Sequence, residues 1–112
     1  MPGDRTNSST LKVGNICGEN FDYIYIKEDR DKRGRKDGEI ADLLKKGILE
    51  TGFKNSKLNI ILDEEEALKK AIESSNPGDL VIMFFEEFEP AANIVKDKIK
   101  KGKITKRETA LA

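Results

Sequence analysis

The most chemically unusual part of the sequence is a charged loop, residues 27–39, in which acids and bases stand side by side. Asp29, Arg33 and Arg35 all lie within a few positions of one another in it. The forked guanidinium of an arginine suits a carboxylate or a phosphate, and a neighbouring carboxylate suits an ammonium or guanidinium group. The charged loop therefore predicts a ligand that carries both signs, such as an amino acid or a peptide.

A second interpretation of the charged loop is a solvated surface whose acids and bases pair with each other. Exposed ion pairs of this kind contribute about 0–1 kcal/mol each. Gly34 and Gly38 fit the first interpretation, because glycine lets the backbone turn closely around a bound group. The residue types alone leave both interpretations open.

Other polar clusters offer less chemistry. Gly3-Asp4-Arg5 forms a Gly-Asp turn of the kind that follows a strand, but the alternative is a frayed end, because no strand precedes it. Glu64-Glu65-Glu66 favours a helix start, where acids complement the helix dipole, over a metal cluster. Cys17 lies on an apolar stripe and is interpreted as a small buried hydrophobe. We predict neither a metal ligand nor a catalytic residue in this chain.

Composition narrows the function classes further. The chain has 112 residues, which is enough for one modest domain. Its 21 basic and 21 acidic residues balance, so neither nucleic acid nor a membrane surface is an expected partner. The absence of His and the single Cys exclude a disulfide within the chain and Ser-His or Cys-His nucleophile pairs. With no apolar signal segment, the expected location is cytoplasmic.

Three apolar runs, residues 21–26, 58–62 and 80–85, predict strands that are covered on both faces. Helices are predicted at about 38–51, from Asp63 onward and around Pro90, each with an apolar stripe. A further helix is predicted over residues 8–20, where Gly14 and Gly18 interrupt a partial apolar stripe.

Helices that alternate with strands predict a parallel sheet. We therefore expect the α/β class, as a three-layer α/β/α Rossmann-like sandwich with a small, mainly parallel sheet. Residues 1–100 form the predicted domain and 101–112 a polar tail. The charged loop would then lie at the carboxyl ends of the strands, where ligands of such sheets bind.

Several motifs, in this order, resemble one enzyme family. They are Gly3-Asp4-Arg5, the run from Glu28 to Arg35 followed by Gly38-Glu39, then Leu62-Asp63-Glu64 and Pro77-Gly78-Asp79-Leu80-Val81. Together they resemble the carboxyl-terminal domain of the cyanophycin synthetases, which are relatives of the Mur ligases, over about residues 2–99. The resemblance implies a Mur ligase C-terminal-like domain in residues 1–100.

The resemblance also implies an ATP-dependent amide ligase. In such enzymes ATP phosphorylates an acceptor carboxylate and an amine attacks the acyl phosphate; in this family arginine is joined to a polyaspartate backbone. The implied partners are an amino-acid or polypeptide substrate and the remaining domains of the ligase. The substrate-binding residues implied by the matching positions are Asp4, Arg5, Glu28, Asp29, Arg33, Arg35 and Glu39.

The sequence departs from a complete ligase in one decisive respect. It contains no glycine-rich GKT/S phosphate loop, so no cofactor is expected in this chain, and Mg-ATP would belong to the complete ligase. We therefore expect a truncated substrate-closing domain that lacks its first strand and does not catalyse alone. The sheet edge left by that strand would favour a homo-oligomer. The alternative is a stand-alone Rossmann-like binding or assembly module without catalysis.

Overall fold

The computed structural model describes residues 6–30 and 34–101, and the backbone alone for 109–111. The chain divides into two units, Met1–Asp63 and Glu64–Ala112. Asp4, Arg5 and Arg33 lie outside the described residues.

The first unit pairs two short parallel strands and packs two helices together. Strand β1 lies opposite β2 with Ile24 aligned to Leu58 and Ile26 to Ile60. The helix between them makes the long connection that a parallel pair requires. Its elements are α1 (Asn7–Asn20), β1 (Ile24–Ile26), α2 (Glu39–Leu49), a short 3₁₀ turn (Asn55–Lys57) and β2 (Leu58–Ile60).

Helices α1 and α2 approach each other through glycines. A Cβ atom added to Gly14 would lie 2.6 Å from the carbonyl oxygen of Leu44 and 3.0 Å from the Cα of Gly47. The side-chain amide of Asn15 donates a 2.6 Å hydrogen bond to the Gly47 carbonyl across the same contact. The helix predicted over residues 8–20 is confirmed as α1, and Gly14 within it is buried between two backbones.

The core of the first unit joins both strands to α2. Ile26, Ala41, Ile48 and Leu58 form a buried apolar cluster, and Cys17 packs against it from α1. Burial raises the pKa of the Cys17 thiol, which disfavours the reactive thiolate.

The second unit repeats a strand–helix–strand arrangement. Its strand β3 pairs with β4 in parallel, with Val81 aligned to Thr109 and Met83 to Leu111. Its elements are α3 (Glu64–Ser74), β3 (Val81–Met83), α4 (Phe88–Lys100) and β4 (Thr109–Leu111). Strand β4 lies within residues 101–112, which were expected to be a polar tail. Its three residues form a strand because the edge of β3 offers them backbone hydrogen-bonding groups. The boundary at residue 100 stays a prediction.

Helices α3 and α4 supply most of the second core. Leu68 and Ile72 of α3 contact Met83 of β3 and Ala91, Ile94 and Val95 of α4. Pro90 is the third residue of α4, as expected for a proline in a first helical turn.

The α/β class with small parallel sheets is confirmed. The expectation that the strands are covered on both faces was wrong for β2 and β3, because Ile60 and Ile82 are each 40% exposed. The two pairings described are β1 with β2 and β3 with β4. A three-layer sandwich built from all these elements stays a prediction.

Candidate functional site

The charged loop is closed at its base by the buried carboxylate of Glu28. Its Oε1 accepts a 3.0 Å hydrogen bond from the backbone N–H of Gly38, and its Oε2 accepts one of 2.9 Å from that of Ala41. Hydrogen bonds to an ionised acceptor contribute roughly 1.5–3 kcal/mol each. Glu28 thus holds the end of β1 against the start of α2.

The sequence of the α2 N-terminus explains why a distant carboxylate is used there. Gly38 occupies the N-cap position with φ of 84°, a left-handed conformation that suits glycine, and it has no side chain to accept from the helix. Ala41 is the third helical residue, whose N–H an N-cap side chain usually binds. Glu28 satisfies the N–H groups of both positions with one carboxylate.

Described residues of the charged loop form ion pairs with each other. Lys27 donates to Asp29 over 2.8 Å, with side chains only 11% and 12% exposed. Arg35 donates to Glu39 over 3.2 Å, and the Glu39 side chain is 44% exposed. These pairs match the second interpretation of the charged loop, in which its acids and bases pair with each other, and they place a cation beside an anion at both points.

The pKa of Asp29 reflects two opposing effects. Burial raises the pKa of this carboxyl, while the hydrogen bond and charge of Lys27 are among the interactions that lower it. The net result is a pKa below the usual range, so Asp29 is ionised at neutral pH.

The second unit contains a comparable carboxylate contact. The Glu64 Oε1 accepts a 2.8 Å hydrogen bond from the backbone N–H of Glu86, and its Oε2 accepts one of 3.3 Å from Glu87. Glu64 therefore fixes the loop between β3 and α4, in addition to complementing the α3 dipole as the sequence predicted.

Comparison with known proteins identifies relatives that share one name. A cyanophycin synthetase of Synechocystis sp. (strain ATCC 27184 / PCC 6803 / Kazusa) is 43% identical over 95 residues, which cover 85% of this chain and 11% of that protein. The one from Geminocystis herdmanii is 42% identical over 85 residues, covering 76% and 10%. The one from Crocosphaera subtropica is 40% identical over 94 residues, covering 84% and 11%.

This chain is homologous to part of the cyanophycin synthetases. It spans about a tenth of the length of these curated relatives. A continuous match of 95 residues within a chain of 112 necessarily includes the charged loop. No protein-family model matches the chain.

The structure describes four of the seven predicted substrate residues. The structure brings Glu28, Asp29, Arg35 and Glu39 together around one loop, although the Glu28 carboxylate is engaged by helix N–H groups. Asp4, Arg5 and Arg33 are not among the described residues. Substrate contact by any of these seven residues stays a prediction.

Sequence reasoning missed how the charged loop is held. The sequence shows only the two partners, a glutamate two residues after β1 and a helix whose N-cap is a glycine without an acceptor of its own, and not the contact between them. The Gly14-x-x-x-Gly18 spacing is typical of a close contact between two helices, and both glycines of α1 do lie against α2 or the residues that follow it.

Two further classes of site were sought in the described residues. Over 6–30 and 34–101, no group of three or more Cys, Asp or Glu side chains is arranged to hold a metal ion. Across the same part of the chain, no helix has the length and apolar character to cross a bilayer.

Proposed function

We propose that this chain is the substrate-closing part of an ATP-dependent amide ligase of the cyanophycin synthetase type, and that its charged loop faces the incoming amino acid. The observation that carries the proposal is the 43% identity over a span that includes the loop. The location that fits this activity is the cytoplasm, where ATP is available.

Arg35 and Glu39 are the described residues best suited to an arginine substrate. A guanidinium binds a carboxylate through two parallel N–H groups, so Arg35 is the partner for the substrate carboxylate. Glu39 and Asp29 carry the charge that attracts the substrate guanidinium. In the absence of substrate, Arg35 and Glu39 form an ion pair with each other, which keeps both side chains close to the positions where they would bind the substrate.

Asp4, Arg5 and Arg33 complete the proposed substrate-binding set through the family resemblance. The amine of the bound amino acid would attack the activated carboxylate, and the loop would orient it for that reaction. Mg-ATP does not fit the residues of this chain, because the sequence contains no phosphate loop. Activation of the carboxylate therefore belongs to the remaining domains of the ligase.

A hybrid ligase tests the proposal directly. The matched segment of the Synechocystis cyanophycin synthetase is replaced by the corresponding residues of this chain, and ATP-dependent incorporation of arginine is measured. We expect incorporation by the hybrid and none by this chain alone. A hybrid that is folded and binds nucleotide like its parent, but does not incorporate arginine, would instead favour a stand-alone binding or assembly module.

A further inference from the structure

Glu28 occupies an unusual position for a residue of a charged loop, because its side chain is almost entirely buried. It is 4% exposed, and both carboxylate oxygens accept from the first turn of α2. Its own backbone N–H donates a 3.0 Å hydrogen bond to the carbonyl of Leu62, which follows β2. Glu28 is therefore fixed to the strand pair on one side and to the helix on the other.

The helix turn that Glu28 holds carries the exposed ion pair of the loop. Glu39 is the first residue of α2 and follows Gly38, whose N–H binds Glu28. The Glu39 carboxylate in turn accepts from Arg35 over 3.2 Å. The buried carboxylate is thus connected to the Arg35 guanidinium through a hydrogen bond to Gly38, the peptide bond between Gly38 and Glu39, and the ion pair between Glu39 and Arg35.

We infer that Glu28 is a positioning residue for the charged loop: it determines where Arg35 and Glu39 stand, and it does so without contacting the substrate. The inference rests on the proposed function for the role of Arg35 and Glu39. The placement of the loop by Glu28 is a property of this chain and can be measured separately.

Replacement by glutamine separates charge from size. Glu28→Gln keeps the shape of the side chain, but its amide N–H₂ group faces a backbone N–H where the carboxylate had a second acceptor. One of the two contacts is lost, and the first turn of α2 becomes less firmly attached. Glu28→Asp keeps the charge and both acceptor oxygens, so it should restore part of the attachment.

The first experiment follows amide hydrogen exchange in the 112-residue chain. In Glu28→Gln, we expect exchange at Gly38 and Ala41 to become at least tenfold faster. Glu64→Gln is the matched control, because it removes a similar carboxylate contact in the other unit. It should leave exchange at Gly38 and Ala41 unchanged. Equal protection of the two amides in Glu28→Gln and the unmodified chain would overturn the inference.

The second experiment measures arginine incorporation by the hybrid ligase. In Glu28→Gln, KM for arginine should rise about tenfold while kcat and KM for ATP change less than twofold. Glu28→Asp should recover part of the loss, and Glu64→Gln should leave KM for arginine unchanged. A general loss of folding would lower the apparent kcat and leave both KM values unchanged, because it removes active enzyme, and this result would count against a positioning role.

The role of Arg35 distinguishes the two proposals. If Arg35→Ala raises KM for arginine and Glu28→Gln does not, the inference is wrong and the proposed function stands. If neither variant changes KM for arginine, the proposed role of the loop in substrate binding is wrong, and amide exchange at Gly38 and Ala41 decides whether Glu28 places the loop. If both variants raise it, both are supported.

Discussion

Gly14 of α1 and Gly47 of α2 face each other so closely that a Cβ atom on Gly14 would lie 3.0 Å from the Gly47 Cα. The same Cβ would lie 2.6 Å from the carbonyl oxygen of Leu44, which is backbone and cannot rotate away. The two helices can therefore pack at this distance only with glycine at position 14.

Gly14→Ala should destabilise the chain despite the better helix propensity of alanine. Propensity favours the change by about 1 kcal/mol, whereas overpacking costs roughly 1–3 kcal/mol. The clash involves backbone atoms, so we expect the net effect to be a loss of stability, measured by urea unfolding. Lys12→Ala on the exposed side of α1 is the control. A gain in stability for Gly14→Ala would show that the helices can separate without cost.

Arg35→Ala in the hybrid ligase should raise KM for arginine and leave nucleotide binding unaffected. Loss of a charge-assisted hydrogen bond of about 1.5–3 kcal/mol corresponds to roughly a 10- to 150-fold weaker interaction. Steady-state kinetics with varied arginine and varied ATP separate the two effects. Lys46→Ala, an exposed cation in the last turn of α2, controls for the loss of a positive charge. Wild-type turnover in Arg35→Ala would return the charged loop to the interpretation as a solvated surface.

Asp29 should contribute to the pH dependence of stability in acid. Its pKa is lowered in the folded chain, so its contribution is present above the unfolded value of about 3.9 and is lost as the pH falls through the folded value. We expect the stability difference between the unmodified chain and Asp29→Asn to be largest above about pH 5 and to shrink below pH 4. Unfolding curves at several pH values measure this. Asp22→Asn, at an exposed carboxyl, is the comparison, and an equal effect there would contradict the Lys27 contribution.

This chain alone should not bind Mg-ATP. The sequence contains no glycine-rich phosphate loop to wrap the phosphates and no accompanying Lys-Ser/Thr pair. Calorimetric titration should give no saturable heat, with or without arginine, whereas the hybrid ligase should show saturable binding. A saturable isotherm for this chain would contradict the prediction, because it would mean that Mg-ATP binding does not require the other domains.

The helices and strands could be predicted largely from periodicity. Acidic residues at the start of α3 and an apolar stripe with Gly52 after α2 indicated both helices. The strands proved shorter than their apolar runs: β3 covers Val81–Met83, although the apolar run is 80–85. Hydrophobicity marks where a strand lies, but hydrogen bonding to a partner decides where it ends.

The attachment of the charged loop could not be predicted from periodicity. The contact between Glu28 and Ala41 joins residues 13 positions apart, and no local pattern distinguishes a carboxylate that reaches a helix from one that reaches solvent. Strand β4 was missed for a similar reason, since its pairing depends on the edge that β3 provides. In each case the deciding contact is distant in sequence.

The closure of the charged loop by Glu28 limits how far a change in loop length affects the fold. Because Glu28 binds Gly38 across the base of the loop, lengthening the chain between them adds mainly closure entropy, and doubling its length would cost only about 0.6 kcal/mol. Insertions that keep the contact between Lys27 and Asp29 should therefore be tolerated by the rest of the unit. Chains that share this core can accordingly differ in the length of the loop.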